Sequence, residues 1–227
     1  RRDVDHLMKR YAIIVAGGSG TRMGAEIPKQ FIPLRGRPIL MHTLEAFYDF
    51  DPTIDIILVL PKDQFDYWNQ LCAEVEWEIP FRLAAGGATR FHSVHNGLAL
   101  ISQDGIVGIH DGVRPFVSKE TLERCYTTAA KENSAIPVVP VTDSLRVITE
   151  NGSKSVRRSD YRNVQTPQCF WYNVLYPCYE EGYRDDFTDD ASVYEAAGYK
   201  VNLVDGNPEN IKITTPKDLK LAEYLLG

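Results

Sequence analysis

The sequence predicts one α/β domain, a doubly wound and mainly parallel sheet sandwiched between helices. Three observations lead there. Short apolar runs at 11–18, 54–61 and 105–117 lack polar alternation, as strands buried on both faces do. Stretches of helical period separate them. The 227 residues, 44% of them hydrophobic, suffice for one large core.

Taken in order, "YAIIVAGG" (11–18) is a buried strand ending in glycines. "RPILMHTLEAFYDF" follows as a helix with Pro38 in its first turn, burying Ile39, Leu40, Thr43, Leu44 and Phe47. "IDIILVLP" (54–61) is a second strand closed by proline, and Asp63 to Glu74 form its helix. "GGATRFHSVHNGLALI" (86–101) is a turn, then a helix capped by Thr89 and burying Phe91, Val94, Leu98 and Ile101. "GIVGIHDGVRPFV" (105–117) is a strand breaking into a loop, and Ser118 caps the next helix. The prolines of "AIPVVPV" (135–141) place that strand near an edge or at a bend.

The pattern then changes. "SLRVITENGSKSVRR" alternates around Asn151-Gly152, a two-residue hairpin signal. It carries too little apolar surface to fold freely. Residues 141–160 are therefore expected to project as an arm that packs on something else, such as a second copy of the chain. "DDASVYEAAG" is a helix with Gly198 as its C-cap, and Thr215, Pro216 and Asp218 cap the terminal helix.

Composition excludes several classes. A net charge of −6 argues against a nucleic-acid polymer as partner. Cys72, Cys125, Cys169 and Cys178 form no C-x-x-C pair, which suggests reduced thiols in the cytoplasm. No apolar run approaches a membrane span. "RRDVDHL" has no apolar signal region and reads as an added leader or frayed tail, which leaves 8–227 as the expected domain.

The glycine-rich stretch "AGGSGTRMGAEIPKQF" admits several readings. The dinucleotide fingerprint fits at Gly18 and Gly20 but meets Met23 at its third glycine, and no Lys-Ser or Lys-Thr completes a P-loop. A plain βα turn without a ligand is one alternative. The other is a loop around a nucleoside triphosphate. Glycines let backbone N–H groups approach phosphate oxygens, while Arg22 adds a fork of donors and Lys29 a point charge.

With these residues the chain resembles the 2-C-methyl-D-erythritol 4-phosphate cytidylyltransferases, within the sugar- and polyol-phosphate nucleotidyltransferases. "GGATRFHSVHNGL", "HDGVRPFV", "VQTPQCF", "FTDDASVYEAAG" and "GNPENIKITTPKDL" follow in the family's order and spacing. The resemblance implies a Rossmann-like nucleotidyltransferase sandwich that joins CTP to the polyol phosphate and expels diphosphate, in non-mevalonate isoprenoid precursor synthesis. It departs from the family at Ala88, where relatives often carry an acid. "AGG" in place of "AAG" also occurs in ribitol 5-phosphate cytidylyltransferases, the runner-up. A CTP sensor without turnover is the rival of another class.

The resemblance also implies roles. Arg22, Lys29, Arg158 and Lys212 would be catalytic. Ala16, Gly17, Gly18, Ser19, Gly20, Met23, Gly87, Arg90, Ser93 and Gly112 would surround CTP. Asp111 would help hold the triphosphate, its magnesium ion or the acceptor, with Arg114 on the acceptor's side. Arg158, Thr166, Thr188 and Lys212 would grip the polyol phosphate, Arg158 from a partner subunit, so a homodimer is expected. Within "NIKIT", Lys212 would face a cleft while Ile211 and Ile213 turn away. His92 and His95 lack a third metal ligand, and with His110, Tyr67, Trp68 and Trp77 they read as packing or surface residues.

Overall fold

The computed structural model describes residues 8–17 and 27–227. Strands β1 (Arg10–Val15), β4 (Asp55–Leu60), β5 (Arg82–Ala85) and β6 (Ile106–Asp111) run parallel, in the order β5-β4-β1-β6. Beyond β6 lies β11 (Gln168–Trp171), antiparallel, and then β7 (Ser134–Pro140). Further along β7, β10 (Arg162–Val164) pairs antiparallel and β12 (Leu203–Asp205) parallel. A small hairpin, β2 (Pro33–Leu34) with β3 (Arg37–Pro38), precedes the first helix.

Helices cover both faces, which makes the sheet doubly wound as expected. In β1, Ala12 and Ile14 join α1 (Ile39–Phe50), α2 (Phe65–Glu74) and α4 (Lys119–Glu132) in one core. Tyr11 and Ile13 face the other way, toward α3 (Arg90–Leu98), α5 (Tyr172–Glu180) and α6 (Asp190–Ala196). A third, smaller cluster joins Ile39, Val113 and Ile213 to Ala222 of α7 (Pro216–Leu225). Because β4 and β6 flank β1, the winding reverses there, and the carboxyl ends of β1 and β6 frame a crevice.

Local chemistry sets the helix ends. Thr89 and Ser118 side chains accept from the N–H groups of His92 and Thr121. Thr215 and Asp218 form a reciprocal capping box, with Pro216 in the first turn. Gly198, just past α6, has φ +96°. Pro38 does not enter α1: it pairs with Pro33 across the small hairpin, and the helix begins at Ile39. Ile101 is buried but lies beyond α3.

Three expectations shift. The prolines of β7 mark no bare edge. Pro137, which has no N–H to give, falls between the β10 and β11 ladders, where its carbonyl accepts from Gln165 N–H at 2.9 Å. The arm hairpin, β8 (Arg146–Thr149) and β9 (Gly152–Ser155), pairs Thr149 with Gly152, so Glu150 and Asn151 make the turn. Gly152 takes φ +131° as the first residue of β9, a conformation only glycine adopts without strain. "NIKIT" forms no strand, although its alternation holds: Ile213 is buried and Lys212 half-exposed.

Candidate active site

Two adjoining cavities open at the carboxyl ends of the parallel strands. The first, about 330 Å³, is walled by Ala16, Gly17, Lys29, Gly87, Arg90 and Ser93, with Asp111 and Lys212 at its far side. The second, about 320 Å³, is bounded by Arg114, Thr166 and Thr188. Arg90, Asp111 and Lys212 line both. Gly18, Ser19, Gly20, Arg22 and Met23 lie outside the described residues. The other residues expected at the site meet here, except Gly112 and Arg158.

The nucleotide-side wall is built by short local contacts. Lys29 opens a single 3₁₀ turn, Lys29–Phe31, after Pro28. The next residue, Gln30, is buried and gives its Nε2 hydrogens to Ala16 O (3.2 Å) and Gln64 Oε1 (2.7 Å). It thereby ties this turn to the end of β1. Opposite, Gly87 N–H donates to Ser93 Oγ at 3.0 Å. A Cβ on Gly87 would sit 2.4 Å from His92 Cβ, so no larger residue fits without moving α3. Gly112 lines neither cavity, because its N–H donates to Val15 O and its carbonyl accepts from Thr43 Oγ1. It lies beneath the floor, where a Cβ would press on Ala16.

Asp111 is the electrostatic centre. Arg114 Nε lies 3.1 Å from its carboxylate, Arg90 Nη2 3.6 Å and Lys212 Nζ 3.9 Å. Burial alone would raise its pKa, but Arg90, Lys212 and Arg114 outweigh burial and hold the carboxyl well below the usual carboxylate range. These cations favour the ionised form of Asp111. The lysine arrives from elsewhere in the chain: Ile213 N–H donates to Val113 O, which docks 210–213 beside the loop after β6.

Behind Asp111 runs a directed chain of hydrogen bonds. His110 Nε2 lies 2.9 Å from Arg114 O, which can only accept, so this nitrogen carries the proton. His110 Nδ1 then accepts from Thr166 Oγ1 (2.9 Å), which itself accepts from Asp111 N–H (3.1 Å). One tautomer satisfies all three. His110 is thus structural, as expected, and Thr166 spends its hydroxyl on the scaffold while lining the second cavity.

Burial pushes the His110 pKa down from 6.5 to about 4, against hydrogen bonding to Arg114 and the charge of Asp111. Between those pH values the unfolded chain binds a proton that the folded chain does not. The resulting stabilisation is complete above pH 6.5 and lost as pH falls through 4. It amounts to about 3 kcal/mol. His110→Gln is expected to lose that much of the stability difference between pH 7 and pH 4, read by urea unfolding at each pH. Identical pH dependence in both proteins would contradict the assignment.

Two residues of this neighbourhood escaped the sequence reading. Arg90 forms a two-pronged ion pair with Asp190, at 3.0 and 3.1 Å, and Tyr179 O–H adds a third donor at 2.5 Å. Asp190 is fully buried. The signal was present in "DDASVY": Asp190 occupies the core-facing row with Val193 and Tyr194, and a buried acid requires a partner. Arg158 stands apart, at the foot of the arm, where its guanidinium donates to Thr142 O at 2.7 Å. Thr188 is exposed at the rim. His92 bonds Thr89 and His95 pairs with Glu180, and no group of three or more His, Cys, Asp or Glu side chains gathers as a metal site among the described residues. Trp68 is buried in the core and Trp77 packs against it, while Tyr67 meets Phe31 edge-on.

Comparison with known proteins agrees with this geometry. The family description "2-C-methyl-D-erythritol 4-phosphate cytidylyltransferase" matches residues 11–227. A protein of that name from Bacteroides fragilis is 57% identical over 219 residues, covering 96% of this chain and all of the relative. One from Porphyromonas gingivalis is 50% identical over 220 residues, covering 96% and 98%. The crystal structure of 4-diphosphocytidyl-2C-methyl-D-erythritol synthase from Anaerococcus prevotii superposes with a TM-score of 0.85 at 30% identity, covering 100% and 99% of the two chains. The motifs, the crevice at the winding reversal and these matches agree: the chain belongs to the 2-C-methyl-D-erythritol 4-phosphate cytidylyltransferase family.

Proposed function

We propose that the chain transfers a cytidylyl group from CTP to 2-C-methyl-D-erythritol 4-phosphate, releasing diphosphate, in isoprenoid precursor synthesis. The carrying observation is that two cavities share three charged residues, Arg90, Asp111 and Lys212. A nucleotide in the first and a phosphate monoester in the second would meet across them. The acceptor's phosphate, with a second pKa of about 6, is mostly a dianion at neutral pH and already a nucleophile. One of its oxygens bonds to the α-phosphorus of CTP while the bond to the β-phosphate oxygen breaks. No proton has to move.

Catalysis then rests on alignment and charge neutralisation, for which the described residues supply cations and no Ser-His-Asp set. In this reading Lys29, Arg22 and Lys212 hold the reacting phosphates, with Arg114, Thr166 and Thr188 around the acceptor. Glycine and alanine at 16, 17 and 87 leave room for the pyrimidine, beside Arg90 and Ser93. Among the described residues, the second cavity has one wholly apolar side chain, Val164, 45% exposed, which suits an acceptor with a methyl branch better than ribitol phosphate.

Among the described residues, Asp111 is the single carboxylate lining the first cavity, and it already faces three cations. Such a donor set does not hold a metal by itself, but it accommodates a magnesium ion brought by the triphosphate. That ion would neutralise phosphate charge. Arg158 lines neither of the two cavities, and the arm beside it exposes Val147 and Ile148. These facts support a homodimer in which 141–160 packs on a second copy and delivers Arg158 to that copy's site. In this reading residues 8–227, the arm included, form one domain. No helix among the described residues is long and apolar enough to cross a membrane, and all four cysteines are free. Both fit a cytoplasmic enzyme with small-molecule substrates.

The test is diphosphate release from CTP and Mg²⁺ with each polyol phosphate offered alone. Release with methylerythritol phosphate is expected. Release with ribitol 5-phosphate only, or CTP binding without release, would overturn the proposal.

A further inference from the structure

We propose that Asp190 is a positioning residue for the transfer: with Tyr179 it fixes the Arg90 guanidinium between the two cavities, and Arg90 in turn orients Asp111. The inference rests on the reading of those cavities given above. Asp190 lies in the first turn of α6, fully buried, 100 residues from Arg90 in sequence. Both terminal nitrogens of Arg90 are engaged by its carboxylate, at 3.0 and 3.1 Å. Arg90 keeps 32% of its side chain open, lines both cavities, and presents Nη2 to Asp111 at 3.6 Å.

Two physical arguments separate this role from plain structural support. Buried ion pairs contribute little net stability, since desolvation offsets attraction, and apolar residues of similar volume often serve as well. Stability alone therefore does not explain an acid at this core position. The sign of the charge points the same way. A cleft that gathers a triphosphate and a phosphate monoester gains nothing in attraction from a carboxylate behind its own arginine. What the carboxylate supplies is direction: a bidentate fork holds a planar guanidinium in one orientation. Tyr179 O–H donates to Oδ1, the carboxylate oxygen that also accepts from Arg90 Nη1, and so helps to hold that carboxylate in place.

The two accounts of Asp190 differ in a measurable way. Asp190→Asn keeps the shape, breaks the two-pronged pairing and makes the cleft more positive by one charge. If attraction were decisive, CTP would bind more tightly and turnover would hold. Positioning instead requires kcat to fall about ten- to a hundredfold, with CTP affinity by calorimetry changed by no more than about threefold. Tyr179→Phe, which keeps the ion pair and removes one donor, is expected to lower kcat about three- to tenfold.

Folding of each variant is checked by circular dichroism and its melting temperature. Wild-type kcat in folded Asp190→Asn protein, or a loss wholly accounted for by weaker CTP binding, would overturn the proposal. If Asp190→Asn does not fold, Tyr179→Phe decides, and unchanged kcat there overturns it. Wild-type protein is assayed first with CTP and methylerythritol phosphate. Absence of diphosphate at that stage would refute the reading of the cavities rather than the role of Asp190.

Discussion

Lys29→Ala is expected to lower kcat by about 10² to 10³ while leaving the fold intact. The reaction brings a phosphate dianion against a triphosphate, so repulsion between anions forms much of the barrier. Lys29 lines the first cavity from a short turn fixed at Pro28 and backed by buried Gln30. A cation held in place before the anions meet needs no reorganisation when charge moves to the departing diphosphate. Removing one such preorganised donor costs roughly 3–4 kcal/mol of barrier. A charge on a cavity rim changes folding stability by only about 0.5 kcal/mol. The check pairs single-turnover kinetics with urea unfolding. Wild-type turnover in the folded variant would remove Lys29 from the mechanism.

Lys212→Ala is expected to have an effect of similar size, about 10²-fold in kcat/KM. Its Nζ stands 3.9 Å from Asp111 on the border of both cavities, so its charge falls where donor and acceptor phosphates would approach. The side chain is 45% exposed and its ion pair adds little to stability. The expected signature is a loss in turnover with the acceptor that saturating methylerythritol phosphate does not repair. Full recovery at high acceptor concentration would reduce Lys212 to a ground-state binding contact.

What the sequence made legible follows from how local each signal is. Caps at Thr89, Ser118 and Thr215 are decided within three residues, and they were readable. So were β1, β4, β6 and β7, whose apolar runs are long, whereas the short strands β5, β10, β11 and β12 went unread. The hairpin was seen but its turn was displaced by one residue, because an Asn-Gly pair also allows glycine to begin the returning strand. Lys212 was placed on the cleft by alternation as well as by the resemblance, even though its segment is not a strand. The cavity-lining residues came through motifs of the resembled family. Their mutual arrangement did not.

The Asp190–Arg90 pair and the chain from Asp111 through Thr166 and His110 to Arg114 are tertiary contacts. The first spans 100 residues, and Thr166 meets His110 across 56. Nothing in a local pattern selects those partners. Gly112 shows the converse. Its motif suggested a ligand contact, yet close approach to Ala16 and Leu40 by itself favours a small residue there. Arg158 lines neither cavity of its own chain, so the role proposed for it depends on a second copy.

That second copy permits the most direct measurement. Arg158→Ala and Lys212→Ala proteins are each expected to be nearly inactive. If every site combines Lys212 of one subunit with Arg158 of the other, a mixed dimer holds one intact site and one doubly impaired site. Equal amounts of the two variants, unfolded and refolded together, should then recover about a quarter of wild-type activity. Activity no greater than that of the separate variants would contradict a site completed by the neighbouring arm.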